Sequence, residues 1–290
     1  MPPYAVALVL LSAVLHAGWN AVVRSQRDTD SFLRISLIIG AVGLLPAFAG
    51  EIIGPAILPI AGPWIILTSI FLAIYYVGLS RGYRLGDFTM VYPLVRALPL
   101  LLIAVADWMR GTPPSPQGWL GLVLVAAGCL IIPLENVRQF SIARYWNRTT
   151  LWIVIAAIGT VGYTTVDSIA AQAMPQGPIV AMRYHVFEDA LTFVTYGLAL
   201  KLQNQPVRFE PGWRGWQRAS LAALMLFIGY SLVLLTLQLT PHASYVMALR
   251  QFSIVIGVIV GALVFREAAA RLRLVAAFII VLGLICIATA

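Results

Sequence analysis

The chain alternates long apolar runs with short polar breaks. The runs cover residues 4–23, 31–49, 62–81, 88–107, 117–134, 149–171, 178–200, 218–239, 242–265 and 272–289. Each is roughly 18–23 residues long, enough for a helix to cross about 30 Å of hydrocarbon. The pattern predicts an all-α membrane protein with ten transmembrane helices. A polar break over 137–148 separates a first set of five runs (1–136) from a second set of five (149–290). Five is odd, so the second set must enter the bilayer from the opposite side. Two inverted five-helix repeats of this kind place a central cavity near the bilayer midplane, between the copies.

Two stretches carry the repeat most clearly. Tyr76 to Arg96 (YVGLSRGYRLGDFTMVYPLVR) aligns without a gap on Tyr230 to Arg250 (YSLVLLTLQLTPHASYVMALR), pairing Leu85 with Leu239 and Arg96 with Arg250. Each holds the end of one run, a short break and the start of the next. The breaks carry Gly86 and Asp87 in one copy and Thr240 and Pro241 in the other, which read as helix caps. Each copy then buries an Arg inside an apolar run, at a cost of about 2.5–3.5 kcal/mol on insertion scales. Two such arginines at matched positions mark Arg96 and Arg250 as candidates for holding an anionic group with their planar forks. The plainer reading is an ion pair with a buried carboxylate.

Composition agrees with the spans: 61% of residues are hydrophobic and 10% charged, against roughly 25% charged in a soluble domain. The net charge of +8 comes mostly from short loops. Arg24, Arg81, Arg84, Arg138, Arg144, Lys201, Arg214 and Arg271 fall on one side and only Arg110 clearly on the other. By the positive-inside rule the rich side is cytoplasmic and both termini are extracytoplasmic, in a cell inner membrane. The first run lacks a basic start and a small-residue cleavage site, so it reads as a span. Cys129 and Cys286 lie in apolar runs and read as inert thiols. Basic residues confined to loops between spans do not make a nucleic-acid surface. There is no phosphate-binding loop, no HExxH and no Cys/His cluster, so no cofactor or metal is expected.

The seventh run is the polar one, with Arg183, His185, Glu188 and Asp189. A carboxylate at mid-depth can carry a proton across a transport cycle, which makes Glu188 the first candidate, with His185 as a relay and Asp189 beside it. The alternative is that the carboxylates neutralise Arg183, Arg96 or Arg250. Adjacent side chains diverge by about 100° on a helix, so Asp189 is expected to face away from any cavity that Glu188 lines. Trp19, Tyr76, Tyr92, Tyr163 and Tyr230 are candidates for its walls, by cation–π contact or simple enclosure. The interfacial belt is the other home for aromatics, and it suits Tyr83. Asn20 beside Trp19 is a candidate contact or a helix–helix hydrogen bond, and His16 reads as structural. Arg34 lies near a span end and can snorkel to the surface.

The motifs His16-Ala17-Gly18-Trp19-Asn20, Tyr92-Pro93 and Phe265-Arg266-Glu267, with the two five-helix halves, resemble the drug/metabolite transporter superfamily and its EamA-type members over essentially the whole chain. In place of the Glu usual after the fourth helix of the first half, this chain has Asp107-Trp108-Met109-Arg110. The resemblance implies a carrier rather than an enzyme, working by alternating access and exporting substrate, with a proton gradient as a drive. Buried charge of both signs points to a small zwitterionic or anionic, amino-acid-like metabolite. Export of organic cations or lipophilic drugs is the rival within transport. A membrane-embedded enzyme or lipid-handling protein, with Glu188 and His185 as acid and base, is the rival class. The partners expected are a small-molecule substrate and the bilayer, and the chain is expected to be a monomer or weak homodimer.

Overall fold

The computed structural model describes residues 1–23, 29–85, 88–132, 134, 148–205, 209, 212–263 and 270–290, with side chains left out at 23, 29–30, 83–85, 88–94, 148, 261–263 and 270. All regular structure among the described residues is helical: α1 (Pro3–Val23), α2 (Thr29–Ile53), α3 (Leu58–Leu85), α4 (Phe88–Met109), α5 (Pro116–Ile131), α6 (Arg148–Ala173), α7 (Pro178–Leu202), α8 (Trp213–Leu237), α9 (Ala243–Leu249), α10 (Phe252–Leu263) and α11 (Ala270–Ala288). Seven membrane-crossing segments stand out by length and apolarity, with α9 and the start of α10 counting as one. Helix α5 is apolar but only 16 residues long, and α7 carries three buried charges, Arg183, Glu188 and Asp189. The chain is a multi-pass membrane protein. The 137–147 linker, Gly86, Asp87 and the Phe265-Arg266-Glu267 motif lie outside the described residues.

The elements follow the apolar runs, with two differences. The ninth run is not one helix. Around Arg250 the backbone bonds shorten their span, with Gln251 N donating to Ala248 O at 2.9 Å and Ile254 N to Gln251 O at 2.8 Å. Such a tightened turn inside a span marks a hinge or a functional site, and it sets Arg250 at the joint of α9 and α10. The expected cap is also displaced. Thr240 Oγ1 accepts from His242 N at 3.3 Å, but the helix starts at Ala243, so Thr240 and Pro241 shape the turn before it rather than its first residues.

Helix α3 packs on α6 and α7, α1 on α8, α2 on α7 and α8, α4 on α5 and α6, α10 on α11 and α1, and α5 on α11. In a bilayer, close backbone approach between helices relies on small residues. A Cβ on Gly159 would lie 2.6 Å from Tyr75 N, and one on Gly78 2.6 Å from Ala156 N, so α3 and α6 meet backbone to backbone. Gly121 and Gly283 do the same for α5 and α11, each Cβ falling 2.7 Å from the other's carbonyl. Large apolar side chains such as Leu45, Ile52 and Phe278 point outward, as a lipid-facing surface requires.

The end that carries both termini is tied by polar contacts. Arg183 on α7 pairs with Glu51 on α2 and donates to Pro55 O at 3.0 Å. Glu51 also accepts from Ile57 N at 2.9 Å and Leu58 N at 3.0 Å, capping α3. Asp107 accepts from Ser244 N at 2.9 Å, Arg110 donates to Ser168 Oγ at 3.3 Å, and Gln172 donates to Thr240 O at 3.3 Å. Asp107 and Arg110 thus join α4 to α9 and α6.

Candidate functional site

A cavity of ≈ 60 Å³ lies midway along the helices, lined by α1, α3, α6, α7, α8 and the α9–α10 joint. That is room for a few waters or a small polar group. Of the residues singled out in the sequence, Trp19, Tyr76, Tyr163 and Tyr230 form its aromatic wall. Arg250 enters from the joint. His185, Glu188 and Asp189 enter from α7. The expected divergence of Glu188 and Asp189 is therefore corrected: both line the same space, because the cavity spans a broad arc of α7. Arg96 borders a second space of ≈ 30 Å³, which shares His16, Tyr75, Tyr163 and Arg250 with the first.

Asn20 is not part of either lining; its amide donates to His16 O at 2.7 Å, back onto its own helix. The Tyr92 side chain lies outside the described residues, as does that of Tyr83. Tyr245 is a packing residue, its hydroxyl accepting from Ser115 N at 2.9 Å. Arg34 does not snorkel out: it is buried, with its guanidinium 4.9 Å from the Trp216 ring and 5.8 Å from that of Phe209.

The charges are arranged unevenly. Glu188 is 1% exposed, and neither of its oxygens has a hydrogen-bond partner. Asp189 accepts from Ser36 Oγ at 3.3 Å, and its other oxygen lies 3.1 Å from His185 Nε2, close but off the angle of a hydrogen bond. His185 Nδ1 faces Phe227 O at 3.2 Å and Ser231 Oγ at 3.1 Å, so the protein engages both ring nitrogens. The carboxylates do not neutralise Arg183, which is held by Glu51. Among the described residues no carboxylate lies within ion-pair reach of Arg250. Its guanidinium sits 5.4 Å from the Tyr230 ring and donates weakly to Met247 Sδ at 3.5 Å, and its Nε is unpartnered.

His16 stands between the arginines. Arg250 Nη2 reaches its Nδ1 at 3.2 Å, Trp19 Nε1 donates to the same nitrogen at 3.0 Å, and Arg96 Nη2 meets its Nε2. Two members of this region were not singled out in the sequence. Tyr75 lines both spaces. Asp167, fully buried on α6, accepts from Thr68 Oγ1 at 2.7 Å, Tyr184 OH at 2.8 Å and the Tyr230 phenol. The signal for Asp167 was present: it is the lone carboxylate in the sixth apolar run.

No protein-family model matches the chain, and no curated protein matches it. A solved structure described only as "Crystal structure of protein" has a TM-score of 0.70 to it at 16% sequence identity, covering 99% of this chain and 96% of that one. The likeness is one of fold, and it extends over nearly the whole length of both chains.

Proposed function

We propose that the chain is a secondary transporter that exports a small zwitterionic or anionic, amino-acid-like metabolite by alternating access between two inverted five-helix halves. One observation carries the reading. A single cavity holds Arg250, with no carboxylate in reach among the described residues, and Glu188, with both oxygens unpartnered. Buried charges are normally paired. A ligand with one anionic and one cationic group supplies the missing partner to each. Glu188 can instead take a proton when no cationic group is present, which couples the cycle to a proton gradient.

The helix contacts support the inverted repeat. Exchanging α1 with α6, α2 with α7, α3 with α8, α4 with α9–α10 and α5 with α11 carries the main helix contacts onto one another. The α3–α6 contact becomes α8–α1, α3–α7 becomes α8–α2, and α4–α5 becomes α10–α11, while α2–α7 and α5–α11 map to themselves. In the same exchange Arg96 maps on Arg250, and both reach His16. Positive-inside topology then puts the tied, terminus-bearing end outside the cell.

Export of organic cations remains the second reading, favoured by the open Glu188 among tyrosines and disfavoured by Arg250 in the same cavity. The enzyme reading has less to stand on. His185 and Glu188 share no hydrogen bond, and both His185 nitrogens face other protein groups. The test is a thermal-shift panel of zwitterions, carboxylates and organic cations on purified protein, because a ligand of the folded state raises its apparent stability. Hits are then followed by counterflow in proteoliposomes. Arg250→Ala should weaken binding of a zwitterionic hit by roughly ten- to a hundredfold. A panel in which only cations bind overturns the proposal.

A further inference from the structure

We infer that His16 is a placeholder: its imidazole occupies the position between Arg96 and Arg250 that a small carboxylate takes when it binds. This rests on the reading of the two arginines as the anion-binding pair.

The argument begins from donors and acceptors. Guanidinium and indole N–H groups only donate, and a neutral imidazole has one N–H and one bare nitrogen. Trp19 and Arg250 both present donors to Nδ1, and Arg96 presents one to Nε2. With Nδ1 bare, Trp19 and Arg250 are served and the Nε2–H confronts Arg96. With Nε2 bare, Arg96 is served and the Nδ1–H confronts the other two. A doubly protonated ring opposes all three. No protonation state of the ring offers a bare nitrogen to all three donors, so His16 spaces the two guanidiniums without accepting from both.

A carboxylate supplies what the ring lacks: about four lone-pair sites and a negative charge, in the shape that a guanidinium fork matches. Room for it already adjoins the ring. The ≈ 30 Å³ side space is bordered by His16, Arg96 and Arg250. Arg250 is 7% exposed and its Nε has no partner, so the cluster holds an unused donor. A carboxylate entering here draws both arginines from the imidazole. His16 then keeps the Trp19 bond at Nδ1 and turns its Nε2–H toward the anion. His16 is thus a positioning residue, and it limits affinity because it must be displaced.

The test uses acetate as the probe on the full-length purified protein in a low-anion buffer. His16→Ala should melt lower than wild type without ligand, since the ring that spaces the two cations is gone. Acetate should bind His16→Ala about tenfold more tightly than wild type, and Arg250→Ala should abolish the response in both backgrounds. Equal acetate affinity in wild type and His16→Ala, or weaker affinity in His16→Ala, overturns the placeholder and leaves the arginine site intact. No acetate response in wild type or His16→Ala overturns the arginine site itself, and the placeholder with it. If His16→Ala does not fold, the wild-type protein carrying fluorinated tryptophan decides. The Trp19 resonance, assigned by Trp19→Phe, should shift with acetate as the cluster rearranges. A Trp19 signal unmoved by acetate that measurably raises the melting temperature overturns the placeholder.

Discussion

The Tyr230 phenol on α8 donates to the Asp167 carboxylate on α6. Thr68 from α3 and Tyr184 from α7 donate to the same carboxylate, so four helices meet on one buried anion. A hydrogen bond to a charged group contributes about 1.5–3 kcal/mol. Asp167→Ala should therefore cost several times what a peripheral substitution costs, because it leaves three buried hydroxyls without an acceptor. Tyr230→Phe should cost less, since two donors remain. Thermal melts in detergent check the order. An Asp167→Ala protein that melts with wild type would show that this junction does not hold the helices together.

Glu51 and Arg183 should be coupled. Removing one partner leaves the other charge uncompensated, and because this pair is partly exposed at the end of the bundle the cost should fall below the about 3–5 kcal/mol of a fully buried pair. Arg183→Met and Glu51→Gln should each lower the melting temperature, and the double variant should recover part of the loss. Glu51→Gln also weakens the cap on α3, so recovery is expected to be incomplete. Additive losses in the double variant would mean that the pair contributes no coupling energy.

Glu188→Gln should separate coupling from stability. The amide removes a buried carboxylate that has no hydrogen-bond partner, so the fold should melt at the same temperature or higher. In proteoliposomes, gradient-driven uptake should be lost while substrate exchange persists. Driven transport at the wild-type rate would remove Glu188 from the coupling step.

Topology gives a test independent of substrate. The proposed topology has both termini extracytoplasmic, so a reporter active only in the cytoplasm should be silent when fused after Ala290 and active when placed in the 137–147 linker. Activity at the C-terminus would reverse the assignment of the terminus-bearing end and, with it, the side on which Arg183 and Glu51 act.

The apolar runs by themselves determined the helices, except for the break at Arg250 in the ninth run. Hydrocarbon demands a contiguous stretch of apolar residues that satisfies its own backbone, and such a stretch is local in sequence. The paired arginines were legible for a related reason: charge inside an apolar run is costly, so its presence stands out. What the sequence could not decide was the partner of each polar group, because partners lie on different helices. Arg183 sits five residues from Glu188 in the chain, yet it belongs to Glu51. Glu188 and Asp189 diverge on an isolated helix, yet one cavity takes in both. Asp167 is marked in the sequence only as the lone carboxylate of its run, and three other helices bring hydroxyls to it. His16 read as structural, and only the tertiary structure, with α1 packed on α9 and α10, put both arginines on its ring. Helix formation depends on neighbours in sequence; the balance of buried charge depends on neighbours in space, and only the tertiary structure decides those.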